Sequence, residues 1–420
     1  MKKQLLLMAI VLLSALAYAG GYRVALQGQK SLAMGHTGVA VVNNAEIVFF
    51  NPAGMAFLGQ KFSASIGVTP IFSNIRFQNE EFGWSTDAEN PVGTPFYAYA
   101  TYKINDHISA GLGIYTPYGS GVEYPANWEG SHLLNSIDLA AIFVQPSISI
   151  KLSEKLSIGG GPILALGNVN FNRNLNRTLT DTNGNRASVS IEDSGITAWG
   201  YAAGVMFRPS EKVTLGINYR SEIIMEVTDG KADFENIPSN LESTFADGTF
   251  SAELPLPAEL SLGVSYQITT KWLVAMEINR TFWDAYENLN VFFSNGRASF
   301  NPRNYQNSSA YRFGVQYDAN TKFTFRAGYY FDESPVQEGY FAPETPRNNS
   351  DNFTGGLTFK INNKWAIDAS FLFIHFDEVD ASYDFFDTDG EAGAPFDYVP
   401  FGGTYKNNAF IPGIGISYSL

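Results

Sequence analysis

The chain has 420 residues, 45% hydrophobic and 15% aromatic, with a formal net charge of −14 and no cysteine. That acidity excludes the basic face a nucleic-acid partner requires, and the absence of thiols excludes disulfides as the source of stability. Beyond its leader the chain never reaches the roughly 18 uninterrupted apolar residues of a transmembrane helix, so any passage through lipid must be made by strands closed into a barrel.

Lys2 and Lys3 precede an apolar run from Leu5 to Ala17, and Ala17-Tyr18-Ala19 offers small residues before Gly20, so residues 1–19 are expected to be a secretory signal. Residues 20–60 do not alternate. They hold Ala33, Gly35, Gly38 and Ala40, then Asn43-Asn44, then Val48-Phe49-Phe50 followed by Asn51-Pro52-Ala53-Gly54-Met55. Pro52 fixes its own φ and biases Asn51 away from the α region, which predicts a defined kink at Asn51, Pro52 and Ala53. Replacing Asn51 and Pro52 together is expected to loosen that kink without touching a hydrogen bond of the barrel.

From Lys61 the pattern switches to period two, which predicts an antiparallel barrel over residues 61–420. Phe62, Ala64, Ile66 and Val68 share a face of a first strand ending at Phe72. Pairs follow at Pro95–Asn105 with His107–Pro117, Leu139–Leu152 with Lys155–Phe171, and Gly195–Arg208 with Lys212–Val227. Further pairs are Phe250–Ile268 with Lys271–Phe292, Ser309–Tyr317 with Thr321–Asp332, and Asp351–Ile361 with Lys364–Phe376. A last strand runs from Tyr405 to Leu420, giving about fourteen in all. Short turns alternate with long polar connectors around Asn74–Pro91, Gly119–Asn135, Arg173–Asp193, Asp229–Thr249, Ser294–Asn307, Ser334–Asn349 and Ala381–Thr404, which are expected to be extracellular.

Because Arg or Lys on the lipid face near the midplane costs about 2 to 4 kcal/mol, charge marks the lumen. Phe323, Phe325, Ala327, Tyr329 and Phe331 are therefore assigned to lipid, with Thr324, Arg326, Gly328 and Asp332 inward. By the same rule Asn218, Arg220 and Glu222 point inward, opposite Val213, Leu215, Ile217 and Tyr219. Continuing the parity of Trp272, Val274, Met276 and Ile278 puts Arg280 outside, at the headgroup level or after a bulge. Phe410, Ile414, Ile416, Tyr418 and Leu420 share one parity, similar to the terminal signal read by barrel-insertion machinery, although that signal usually ends in an aromatic residue.

Several stretches carry a resemblance. They are Asn51-Pro52-Ala53; Tyr115-Thr116-Pro117-Tyr118-Gly119 with Trp128, Gly130 and Gln145-Pro146-Ser147; and Tyr219-Arg220-Ser221-Glu222. Leu256-Pro257 with Trp272 and Trp283, Tyr311-Arg312, Phe325-Arg326-Ala327-Gly328 and Phe331-Asp332-Glu333-Ser334-Pro335 complete the set. In this order, on a fourteen-strand pattern, the mature chain resembles the FadL and toluene-transporter family of the outer membrane. The resemblance implies a monomeric all-β transmembrane barrel of about 14 strands with residues 20–60 as an N-terminal hatch. It also implies a Gram-negative outer-membrane location among lipid and lipopolysaccharide, and passive uptake of fatty acids or hydrocarbons by external capture, lumenal binding, hatch rearrangement and sideways exit at a kinked third strand. Pro117 ends that strand and Gly111 and Gly113 loosen it; Pro70, Pro146, Pro162, Pro257 and Pro412 are comparable breaks, so the resemblance singles out the third strand.

Other chemistry is weaker. His36, His107, His132 and His375 have no ligand spacing, and neither Asp181-Asn183-Asn185 nor Asp387-Asp389-Glu391 has a complete calcium-loop pattern, so no metal or cofactor is expected. No Gly-x-Ser-x-Gly elbow appears, which speaks against an enzyme. Arg220, Glu222, Arg326 and Asp332 read either as an ion-pair ladder or as a site where one arginine meets a ligand carboxylate. Against transport stand a structural or adhesive barrel and a general diffusion porin; the plug disfavours the porin.

Overall fold

The computed structural model describes residues 21–387 and 398–420. The expected signal segment, and Asp389 and Glu391 of the acidic loop, lie outside the described residues. Fourteen antiparallel wall strands close into a barrel. In chain order they are β1 (Phe62–Val68 with Phe72–Asn79), β2 (Phe96–Lys103), β3 (Ile108–Glu123), β4 (Ser136–Lys151), β5 (Leu156–Asn174), β6 (Ser188–Phe207) and β7 (Val213–Arg220 with Ile223–Glu235). Then come β8 (Gly248–Leu256 with Glu259–Gln267), β9 (Trp272–Thr281 with Val291–Phe293), β10 (Ser308–Asp318), β11 (Phe323–Asp332), β12 (Ser350–Lys360), β13 (Trp365–Phe376 with Val379–Tyr383) and β14 (Phe401–Ser419). Closure is made by β1 on β14, from Ser63 opposite Ser419 to Val68 opposite Ile414.

One device builds the short-turn rim. Asn105 Oδ1 accepts from the amides of His107 and Ile108 at 2.9 Å each, Asn320 Oδ1 from Lys322 and Phe323, and Asn362 Oδ1 from Lys364 and Trp365. Ser153 and Thr269 hydroxyls do the same in two other turns. A short polar side chain that mimics the turn's own carbonyl explains why each hairpin reverses there.

The outward faces carry the apolar parity expected of lipid contact: Ile66, Leu215, Ile217, Met276, Phe325 and Ile414 are all exposed. Paired aromatics flank this band, Trp272 with Tyr317 (4.5 Å) and Trp365 with Tyr418 (4.7 Å) near the turn rim, Tyr201 with Tyr219 (6.0 Å) and Tyr329 with Phe353 (5.4 Å) towards the loops. These are the girdles of a membrane barrel. Arg280 keeps the outward parity and donates to Ser309 Oγ at 3.1 Å, two residues further towards the loops than the outward pair Ile278 and Tyr311.

Three expectations need correction. Strands run further towards the loops than the charge pattern suggests: β3 continues from Pro117 to Glu123, β5 to Asn174 and β6 begins at Ser188. Above the lipid the outward side chains turn polar while the ladder goes on, so alternation of hydrophobicity ends before the strand does. Pro117 accordingly marks a kink rather than an end, with the β3–β4 register shifting between Tyr115 and Tyr118. Glu222 is exposed rather than lumenal, because β7 breaks at Ser221-Glu222 and the inward parity passes from Arg220 to Ile223. Gly111 and Gly113, whose facing the alternation leaves open, face the lumen, where a side chain would meet Met55 and Val48 or Tyr99 and Tyr115, while Leu112, 42% exposed, points out.

Inside the barrel runs the segment before β1. It contains two short helices, α1 (Gln29–Leu32) and α2 (Ile47–Phe50), and a 3-10 turn at Pro52–Phe57. It is buried nearly throughout, including Leu32, Met34, Ile47, Val48 and Met55. Close approach to the wall is made over glycines: a Cβ on Gly314 or Gly328 would strike the backbone of Met34 and Gly35, and one on Gly159 that of Pro52 and Ala53.

Candidate functional site

The lumen has two storeys. In the storey nearer the turns the segment is bonded to the wall by polar groups. Asn51 Nδ2 donates to the Val39 carbonyl at 3.0 Å and to the Val205 carbonyl of β6 at 3.1 Å, while its Oδ1 accepts from the Ala53 amide. The Ala53 carbonyl accepts from Ser149 Oγ and Ser157 Oγ at 3.0 and 2.8 Å. The Asn-Pro-Ala motif is therefore a kink, as its residue types predict, but Asn51 also bonds to barrel backbone, so changing it removes a wall contact.

At mid-height lies a charged cluster. Arg23 meets Asp332 at 3.1 Å and Glu259 at 3.7 Å, and Arg220 meets Glu259 at 4.0 Å. Arg220 also donates to the Phe49 carbonyl and lies 4.4 Å over the Phe49 ring. Glu277 pairs with Arg312 at 2.6 Å and accepts from the amides of Gly38 and Val39 at 2.9 Å each. Buried ions persist only when paired and hydrogen-bonded, and here the segment supplies the missing partners. Of the sequence-level candidates, Arg220 and Asp332 meet in this cluster, joined through Arg23 and Glu259. Arg326 stands apart, donating to Gln316 and Thr358, and Glu222 lies outside both groups. Arg23, Glu259, Glu277 and Arg312 are not among those candidates; Glu259, Glu277 and Arg312 share the inward parity of neighbouring strands, and Arg23 reaches Glu259 and Asp332 from more than two hundred residues away.

Above the cluster is an apolar chamber of about 140 Å³, walled by Leu139, Val169, Ile191, Val227, Phe250 and Leu256 from β4 to β8. Its floor is aromatic and includes the start of the segment. Tyr22 packs on Trp283 (5.0 Å), Tyr286 (5.4 Å) and Tyr118 (6.0 Å), and its hydroxyl donates to the Pro255 carbonyl. The same stretch bridges the β3 kink, since the Val24 amide donates to the Pro117 carbonyl at 2.8 Å and the Gly119 amide to the Tyr22 carbonyl at 3.1 Å. Chamber floor and kinked strand are thus one contact.

Arg173, at the loop end of β5, lines both this chamber and an outer groove of about 80 Å³ lined by Leu175, Phe234, Phe245 and Phe386. It donates to the His132 carbonyl at 2.9 Å and Ser299 Oγ at 3.0 Å and lies 5.5 Å over the Phe386 ring. Among the described residues no carboxylate lies within ion-pair distance of it, whereas Arg303 nearby is paired with Glu344. Arg177 donates to His132 Nε2 at 3.3 Å. Burial, reinforced by Arg177 and Arg173, depresses the His132 imidazole to about 3, so the corner holds two guanidiniums beside a neutral histidine. An entering anion would find donors already in place. Arg173 follows Val169 and Phe171 on the inward parity, a signal lost by ending the fifth strand at Phe171. In the loop at Asp181 the carboxylate is occupied by the amides of Asn183 and Asn185, 2.8 Å each.

Residues 10–420 match the family model described as outer membrane protein transport protein (OMPP1/FadL/TodX). The chain is 25% identical over 428 residues to outer membrane protein P1 of Haemophilus influenzae, covering 90% of this chain and 92% of that protein. It is 23% identical over 449 residues to the long-chain fatty acid transport protein of Escherichia coli O6:H1, covering 97% and 98%. The crystal structure of a Pseudomonas aeruginosa FadL homologue superposes with a TM-score of 0.81 at 18% identity, covering 95% of this chain and all of that one, a likeness of fold.

Proposed function

Because the chain belongs to the OMPP1/FadL/TodX family of outer-membrane transport proteins, whose members carry hydrophobic compounds across the outer membrane, we propose that it takes up long-chain fatty acids passively. The observation that carries this reading is an apolar chamber with one cation, Arg173, lacking a carboxylate partner among the described residues, at its mouth. Burying an alkyl chain releases about 0.8 kcal/mol per methylene, and a charge-assisted bond to Arg173 orients the head group. An engineered cavity of about 150 Å³ accommodates benzene, so the chamber alone suits a ring or short chain, and a longer chain extends past Arg173 into the outer groove. A neutral aromatic hydrocarbon is the second reading, favoured by the chamber's size alone.

In this reading the long connectors face outside, the outer groove captures, and the chamber holds the ligand. Residues 20–60 act as the hatch: a chain pressing on Tyr22 moves the stretch that bridges Pro117 and Gly119, which frees the kinked third strand for exit. Arg220 and Asp332 anchor the hatch, and Arg326 steadies the wall below it. Since a side chain at Gly111 would meet Met55 and Val48 of the hatch, bulk placed there would dislodge it before it blocked the wall, whereas bulk at Gly113 would meet Tyr99 and Tyr115 of the wall itself. Mass spectrometry of the gently solubilised barrel tests ligand class. Co-purified fatty acids, lost in Arg173→Gln, are the expected result; only neutral hydrocarbons, retained in Arg173→Gln, would favour the second reading.

A further inference from the structure

The wall has a second interruption, between β6 and β7. Their ladder pairs Ala202 with Arg220 at one end and Glu192 with Lys231 at the other. Between those points it is replaced by a single contact, the Ser221 amide donating to the Tyr201 carbonyl at 2.9 Å and Ser221 Oγ accepting from the Tyr201 amide at 3.0 Å. Both strands remain extended there through their other neighbours, so the facing edges from Asp193 to Gly200 and from Glu222 to Gly230 are left without ladder partners. The cause is local. At Gly195, whose φ of +80° favours glycine, β6 bulges and re-aims its edge away from β7.

Irregular backbone persists where it lines a cavity, and this stretch, which starts at the Tyr201–Tyr219 girdle and runs towards the loops, does. Ile196 and Met225, on the two sides of the interruption, both line the apolar chamber. On the outer side it is flanked by Trp199, 67% exposed, and Ile224, 51% exposed, beside the Tyr201–Tyr219 pair of the loop-side girdle. What closes it is side chains: Ile223 lies over Gly200, and Met225 reaches across to Gly167 of β5. At the third strand, in contrast, the free edge is held by the backbone of the N-terminal segment.

We propose that the β6–β7 interruption is a lateral portal, through which apolar molecules pass between the chamber and the lipid at the loop-side girdle, with Ile223 and Met225 as its gate. The proposal rests on the transport reading. It differs from exit at the third strand in needing no movement of the hatch, only rotamer changes of two side chains, the flexible Met225 and the stiffer, β-branched Ile223.

The test is flux of a fluorescent fatty acid into proteoliposomes carrying Thr197→Cys with Glu226→Cys, exposed positions on either edge of the interruption. In a chain without other cysteines, oxidation staples the two edges. The portal predicts that the staple cuts flux at least twofold, that reductant restores it, and that a control staple at the paired Asn170 and Glu192 of β5 and β6 leaves it unchanged. Ile223→Ala, which opens the gate, should raise flux two- to threefold, and it decides the matter where the staple does not form. Flux indifferent to a formed staple, or to Ile223→Ala, would overturn the portal alone. Absence of flux even in the reduced protein would overturn the portal together with the transport reading.

Discussion

The two storeys of the lumen are built on opposite principles. Near the turns the N-terminal segment is held by directional bonds, where each buried charge has a partner at a fixed distance: Glu277 between Arg312 and two amides, Arg23 between Asp332 and Glu259. Nearer the loops the chamber is lined by aliphatic and aromatic side chains whose attraction is proportional to area and indifferent to orientation. The lower storey therefore admits one arrangement and the upper one many, which is the division of labour expected of a plugged barrel that holds variable apolar guests. Tyr22 belongs to both, since it floors the chamber while its neighbour Arg23 enters the charged cluster.

The largest effect that would sharpen this contrast is expected from Glu277→Ala. Removing one member of a buried pair costs about 3–5 kcal/mol, and here it also strands the amides of Gly38 and Val39. The barrel should still form, because no ladder bond is lost, while the segment becomes protease-sensitive and single channels in planar bilayers turn leaky to ions. Conductance unchanged from the parent would show that the lower storey does not depend on its charges.

Next in size is Arg173→Gln, which removes the charge at the chamber mouth and keeps the chamber apolar. Loss of a charged hydrogen bond of about 1.5–3 kcal/mol corresponds to roughly ten- to hundredfold weaker binding of a fatty acid, with binding of its methyl ester unaltered. Titration calorimetry separates the two; equal losses for acid and ester would mean that Arg173 shapes the chamber instead of reading a head group.

Asn51→Ala with Pro52→Ala should have a smaller effect, because Asn51 contributes a few neutral hydrogen bonds of about 1 kcal/mol each. Insertion and the heat-modifiable mobility of the barrel are expected to survive while uptake changes. Failure to insert would make the motif a folding element.

The mildest perturbation is pH. His132 in the folded protein is depressed to about 3 from about 6.5 in an unfolded chain, so it binds fewer protons folded than unfolded. Its contribution to stability is complete above about pH 6.5, declines as pH falls below that value and is gone near 3. Local unfolding of the loop corner, read by hydrogen exchange around His132, should accelerate from pH 6.5 downward, and saturating anionic ligand should slow it. Exchange that is flat from pH 7 to 4 would contradict a buried neutral imidazole there.

Much of the fold was legible because its physics is local. Period-two alternation marks the strands from Phe62 to Leu420, the contrast of short and long connectors marks the two rims, and charge as a marker of the lumen places Arg220, Arg326 and Asp332 inward, as they are found. The failures also have local causes. Glu222 was misplaced by a parity change at a break that no proline or glycine announces, and β3 and β5 were cut short because polarity returns above the lipid while pairing continues. The site was less legible. Glu259 and Arg220, and Glu277 and Arg312, face each other across neighbouring strands, but they become one cluster only when the N-terminal segment brings Arg23, Gly38 and Val39 between them, and Arg173 reads as the first residue of a loop. Inward glycines on β10 and β11, where the segment docks, carried a signal that alternation by itself does not weigh.

A barrel plugged in this way should pass apolar molecules and not polar ones of similar size. Proteoliposomes loaded with a reporter should take up a labelled long-chain fatty acid faster than protein-free vesicles, while labelled sugar enters both at the same slow rate. Sugar entering the protein-containing vesicles as fast as fatty acid would contradict it, because an open aqueous pore is incompatible with a lumen that closes on Tyr22 and the charged cluster beneath it.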